Sequence, residues 1–438
     1  MRFGLTVATL FAVLRFALAN PLATDDQRQL DELSMKLAQS SEFDELRGKA
    51  YEQWYQVLNK YNVNIDSAIK QDVDNAIKEL VFSSVQKAVN NDPAHPKVYW
   101  VDTAPRHQNW FGLDVPGGRY SYDNPDCFYR TIPISDKYTY KIHGRRYGSG
   151  PADVSFSLIS SMDSQNTVAS LAGKDIEYND DGSYTITVNN QDSNDKNHIK
   201  STWNGVQLFI RNNIGDWSQE LPDTLSVEIV GNVTAEPHSE QKIIEDAKTS
   251  LKWSTFFYGY GALDFKTFSV GTNNLQSPSQ SQSLGTLTTQ AQSFAPYKLN
   301  DNQALVITIT PGNAKYWVVP VYTVGLITVA PWENLISYNN KQARANSDGS
   351  YTFVLSKNDP GVYNWLNTTG RPEGTLMPRF QGLPASDKGA KGITIKHQLV
   401  DFNKLGSVLP NGTSYVSASE RQQQVQERIA GYERLHQQ

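Results

Sequence analysis

The chain has 438 residues, enough for two or three folding units, and an ordinary hydrophobic fraction of 39% that can supply a sizeable core. A formal net charge of −5, with no dense Lys/Arg block, excludes a broad nucleic-acid-binding surface. The single cysteine, Cys127, excludes an internal disulfide, so stability has to come from buried apolar surface.

Residues 1–19 begin with a basic Arg2, continue as an apolar run broken at Arg15, and end in the small-residue pattern Ala17-Leu18-Ala19. They read as a secretory signal peptide cut after Ala19, which makes the mature chain extracellular. Three N-x-[ST] sequons, at Asn232, Asn367 and Asn411, agree with export and mark expected glycosylation sites. No later run is long and apolar enough to predict a membrane span.

Residues 20–96 have helical periodicity and form an N-terminal helical arm. Leu30, Leu33 and Leu37 share one face. Ile69, Val73, Ile77, Leu80, Val81 and Val85 make a stronger stripe, with Asp66 as its N-cap and the NNDPAHP cluster as its end. From 97 to 236 the period changes to two: YTYKIHGRR, VSFSLIS and SYTITVNN alternate, and GVQLFIRNN and DTLSVEIVG add further strands. Asp181-Gly182 reads as a hairpin turn, because glycine accepts the positive φ that tight hairpins need. Residues 237–298 return to helix and then to the polar stretch 273–294, read as a loop or linker. Strands resume over 299–402, and 403–438 is a polar C-terminal tail, helical or frayed.

The stretch NDDGSYTITV at 179–188 is written again as NSDGSYTFVL at 346–355. After each turn come a strand, a tryptophan (Trp203, Trp365) and a strand with an arginine (Arg211, Arg379). Two related units in one chain explain this order. The predicted fold is mainly β: two related antiparallel β-sandwich or jelly-roll-like units with flanking α-helices.

Residues 347–382 resemble the core of the domain-of-unknown-function family 1214. The resemblance rests on Asp348, Gly349, Tyr351 and Val354, then on Asp359, Pro360, Gly361, Val362, Asn364, Trp365 and Leu366, and finally on Gly374 and Arg379. NPDCFYRTIPISDKYTYKIHGRR and IRNNIGDW are similar to the first β region of the longer members of that family. The resemblance implies antiparallel β architecture with flanking helices and brings no reaction with it. Where longer members carry Asn-Trp-Leu, this chain has STWNGVQ.

The candidate ligand-binding residues fall into two groups. Asp359, Asn364 and Trp365 offer an amide and a ring that could line a cleft, with Arg379 further on. Asp126, Tyr129 and Arg130 sit in NPDCFYR, and Arg130, Arg145, Arg146 and Arg211 could form a guanidinium cluster suited to carboxylate or phosphate ligands. Each set also has a structural explanation, turn-making for the first and local ion pairs for the second. Cys127 reads as a buried small residue; as a nucleophile it would need a base, His107 and His143 being the nearest in sequence. The seven histidines are scattered and predict no metal site, and no cofactor motif is present: YGYGALDF has glycines but not the strand–turn–helix setting of a dinucleotide loop. The expected function is binding of a polar or carbohydrate-like ligand between the β units. The alternatives are a cofactor-free hydrolase or lyase using acids and arginines, and an assembly protein forming homo-oligomers.

Overall fold

The computed structural model describes residues 20–280, 287, 289–384 and 390–436, so the expected leader at 1–19 lies outside the described residues. Helix α1 (Asp25–Leu37) starts at Thr24, whose hydroxyl accepts the Gln27 N–H at 3.1 Å. After α2 (Asp44–Lys60), helix α3 (Ser67–Val89) begins where Asp66 accepts the Ile69 N–H at 2.9 Å. The stripe Ile69, Val73, Ile77, Leu80, Val81 and Val85 is buried along its whole length. At about 1.5–3 kcal/mol per buried aliphatic side chain, this face contributes much of the energy that docks the helix.

The first β region comprises β1 (Tyr99–Val101), β2 (Arg106–Trp110), β3 (Leu113–Val115), β4 (Cys127–Pro133), β5 (Tyr140–Arg145), β6 (Asp153–Ile159), β7 (Thr167–Ala172), β8 (Ser183–Asn189), β9 (His198–Lys200), β10 (Gln207–Asn213) and β11 (Thr224–Ile229). Two sheets, in the orders β1-β4-β10-β6-β7 and β11-β5-β8-β9, enclose a core that includes Ile132, Ile142, Phe156, Ile186, Leu208 and Ile210. Helix α4 (Glu240–Ser254) then runs straight into a π-helix at Thr255–Thr267. Ile243, Ala247 and Leu251 of α4 and Leu263 of the π-helix join α3 in one helical core.

The second region holds β12 (Ser279–Gln280), β13 (Ala291–Gln292), β14 (Ala295–Lys298), β15 (Gln303–Pro311), β16 (Tyr316–Tyr322), β17 (Ser337–Asn339), β18 (Tyr351–Ser356), β19 (Trp365–Asn367), β20 (Glu373–Leu376), β21 (Arg379–Gln381) and β22 (Ile393–Asp401), followed by α5 (Leu405–Val408) and α6 (Ala418–His436). One sheet runs β22-β15-β18-β19. In the other, β13 and β14 pair with β21 and β20, both of these pair with β16, and β16 pairs with β17. Strand for strand this repeats the first region: β4 answers to β13–β14, β10 to β20–β21, and β5, β6, β7, β8, β9 and β11 to β15, β16, β17, β18, β19 and β22. Each copy is antiparallel except for one parallel pair, β8 with β9 and β18 with β19.

The two DG turns agree closely. Ser183 N–H and Ser350 N–H each donate to the aspartate two residues before them at 3.0 Å, and Gly182 and Gly349 have φ of 80° and 81°. They are tight turns but not hairpins. The antiparallel partners of β8 and β18 are β5 and β15, some forty residues back, because the chain crosses between sheets before each turn. The expected match of Trp203 with Trp365 also fails. Register places Trp365 opposite Val354 and His198 opposite Thr187, so His198 is the counterpart of Trp365, and Trp203 is 86% exposed. The polar stretch 273–294 is not simply a loop, since β12 and β13 lie within it and pair with each other; its residues 281–286 and 288 are not described. The tail is not frayed over 418–436, where α6 packs against both β regions.

Candidate functional site

Strands β10 and β16 are buried on both faces. In β10, Leu208 and Ile210 point into the sandwich, while Phe209 and Arg211 belong to the other face. That face meets the second unit, since Asn213 Nδ2 donates to Gln381 Oε1 at 2.7 Å. Arg211 opposes Ser155, the third residue of β6, and Arg379 opposes Val318, the third residue of β16. Arg211 and Arg379 are therefore counterparts, as are Asn213 and Gln381, and the two units abut at the same strand position.

Here a cavity of about 50 Å³ opens between the units, with Asp102, Tyr129, Arg211, Lys266, Arg379 and Gln381 among its walls. Arg379 is 4% exposed and donates to the Tyr122 carbonyl (2.7 Å), the Tyr322 hydroxyl (2.6 Å) and Met377 Sδ (3.3 Å), all neutral groups. Its Nε has no hydrogen-bond partner among the described residues. The Arg211 guanidinium lies 4.4 Å from the Phe209 ring centre, and Phe209 stacks on Tyr129 at 5.3 Å. Tyr129 Oη accepts the Asn124 N–H at 3.1 Å. Asp102 has a left-handed backbone (φ 55°), and its Oδ1 is without a partner among the described residues. Burial raises its carboxyl well above the usual range; the Asp123 charge adds to the effect, and Lys87 and Arg119 oppose it. Lys266 comes from the π-helix, and burial lowers the pKa of its ammonium. The π-helix thus contributes one basic side chain to the cavity wall beside the two arginines.

The other candidates sit elsewhere and are not gathered into one pocket. Asp359 pairs with Arg421 of α6 at 2.8 Å, and its Oδ1 accepts the Gly361 N–H. Asn364 is buried and bonds the Arg344 and Thr352 backbone, while Trp365 Nε1 donates to the Ser356 carbonyl. These three hold the DPGVYNWL turn under α6, as their structural reading has it. Asp126 is buried and accepts from Trp217 Nε1 (2.8 Å), Tyr316 Oη (3.0 Å) and Asn339 Nδ2 (3.0 Å), tying the units together. Arg130 is spent on Asn212 Oδ1 and the Asp223 carbonyl. Arg145 lies on the surface, 3.7 Å from Asp181. Cys127 is partly buried, lines a small cavity of about 20 Å³, and has its thiol pKa raised by burial. Of the sequons, Asn232 and Asn411 are exposed and Asn367 is half-buried. A larger groove of about 530 Å³ runs beside α6, but its aromatic faces are occupied: Trp217 stacks on Tyr432 at 4.4 Å, and Arg344 covers Tyr363 at 3.7 Å.

Of the residues singled out in the sequence, the cavity brings together Tyr129, Arg211 and Arg379, and it adds Asp102, Lys266 and Gln381, which the sequence reading did not name. Gln381 was within reach, because it stands two places after Arg379 as Asn213 stands after Arg211. Asp102 and Lys266 carry no motif. Among the described residues no group of His, Cys, Asp or Glu could hold a metal ion, and no helix is long and apolar enough to cross a membrane.

Residues 286–384, the greater part of the second unit, match the family model described as "Protein of unknown function (DUF1214)". The match covers this segment alone. The matched segment contains β16, β20 and β21, and hence Arg379 and Gln381 of the cavity. A crystal structure of an uncharacterised protein from Burkholderia cenocepacia aligns with 83% of this chain and 96% of its own, at 20% identity and a TM-score of 0.70, which shows a common fold. A Vibrio parahaemolyticus protein aligns with 75% of this chain and 100% of its own, at 12% identity and a TM-score of 0.42. No curated protein matches the chain.

Proposed function

We propose that this is an exported, glycosylated protein built from two copies of one ancestral β module, and that it binds a small polar ligand between them. The observation that carries the reading is the meeting of equivalent positions: Arg211 and Arg379 come from the same strand of each copy and line one cavity. Buried guanidinium groups are costly unless something polar answers them, and a cavity at the unit boundary is a common place for a ligand. The leader and the three sequons support export.

The hydrolase or lyase reading keeps one observation in its favour. Asp102, a carboxyl favoured in its protonated form by burial, stands on the same wall as the arginines and could act as a general acid. Asp102→Asn separates the two readings, since it spares binding and abolishes turnover. For the binding reading, thermal denaturation of the mature chain against amino acids, polyols, sugars and organic acids is expected to show a raised Tm with at least one class. A flat response across all four would remove the proposal.

A further inference from the structure

We propose that the inter-unit cavity holds a small monocarboxylate whose head lies between Arg211 and Arg379. This rests on the cavity being a ligand site at all and goes further by naming the ligand class.

Charge comes first. Arg211, Arg379 and Lys266 all line the cavity, and both arginines are more than nine-tenths buried. Arg379 spends its hydrogen bonds on a carbonyl, a hydroxyl and a thioether, none of which neutralises it, and its Nε has no partner among the described residues. Burial raises the pKa of Asp102, the acid on the wall, and so weakens it as a counter-charge to the cations beside it. A planar carboxylate matches a guanidinium fork in a way that a neutral hydroxyl does not.

Size and shape narrow the class. A volume of about 50 Å³ is small and favours a short-chain acid over a sugar ring. The walls also include Ala262, Phe294 and Met377, an apolar surface for a short carbon stem. A carbohydrate-like ligand is disfavoured on the same grounds.

The test is isothermal titration of the mature chain with acetate, lactate, acetamide and inorganic phosphate. Acetate or lactate should bind, and Arg379→Met and Arg211→Met should each weaken that binding by about tenfold or more. Melting temperatures would confirm that the variants fold. Gln165→Glu, which places a carboxylate on the cavity wall, provides a second route and should also weaken the organic acids. Binding that ignores all three substitutions would overturn the proposal. If acetamide binds as well as acetate, or phosphate binds and the organic acids do not, the ligand class is wrong while the site survives. If none of the four binds and no class raises the Tm, both the site and the class fall.

Discussion

Asp126 shows what a single side chain does here. Its carboxylate gathers the Trp217 indole, the Tyr316 hydroxyl and the Asn339 amide, so one residue of the first unit holds two from the second. Burial raises its carboxyl pKa, and the donors around it pull the other way. Removing the acceptor would leave three buried donors without it, at a cost of roughly 3–5 kcal/mol for Asp126→Ala. Urea denaturation would measure it, and a change below about 1 kcal/mol would show that the network is redundant. In the sequence Asp126 looked like a ligand-binding acid beside Tyr129 and Arg130. The type of chemistry was legible and the partners were not, because Trp217, Tyr316 and Asn339 are far away along the chain.

Helix α6 spans the boundary between the units. Arg421 pairs with Asp359 and lies 5.2 Å from the Trp365 ring centre, Arg428 Nη2 donates to Ser337 Oγ at 2.6 Å, and further along Tyr432 stacks on Trp217. His436 ends the described helix among Trp100, Phe128, Trp217 and Tyr432. Burial pushes this ring down to about 4 from 6.5; the Tyr432 carbonyl works against the shift and the Arg106 charge adds to it. The unfolded chain therefore takes up the proton first as pH falls. The stability owed to the neutral ring is fully present above pH 6.5, declines below it, and is lost once pH passes 4, a difference of roughly 3 kcal/mol. His436→Phe should flatten that part of the acid limb when urea midpoints at pH 7 and pH 4.5 are compared. An unchanged slope would mean that the ring is hydrated in solution. The polar sequence of this element suggested a tail, because its few large apolar residues gave no continuous stripe. Its docking draws on arginines held by Asp359 and Ser337, on the stacked Tyr432 ring and on buried Leu435, a pattern that periodicity does not report.

At the scale of the molecule, α3 is a wall shared by both units. Asp72 pairs with Arg371 of the second unit at 2.6 Å. Glu79 accepts from Arg119 Nε at 2.8 Å, and Arg119 in turn donates to the Thr328 carbonyl at 2.8 Å. All four charged side chains lie in or at the edge of the protein interior, where breaking a pair strands a charge. Glu79→Ala is expected to cost roughly 3–5 kcal/mol and to lower the stability of both units together, in one calorimetric transition. Two separated transitions would show that the units are energetically independent.

Local rules were enough to establish several features from the sequence alone. Helical spacing and the Asp66 cap marked α3, alternation marked the strands, and the repeated NxDGSYT stretch marked two related units, because caps, turns and periodicity act over a few residues. Only the tertiary structure decided that each DG turn is followed by a strand whose antiparallel partner lies far back in sequence, that His198 rather than Trp203 answers to Trp365, and that Arg211 and Arg379 converge while Arg130, Arg145 and Asp359 do not. Burial and pairing at these positions depend on which face of a sheet meets which neighbour. That choice is made by contacts between residues hundreds of positions apart, and no short stretch of chain contains both sides of it.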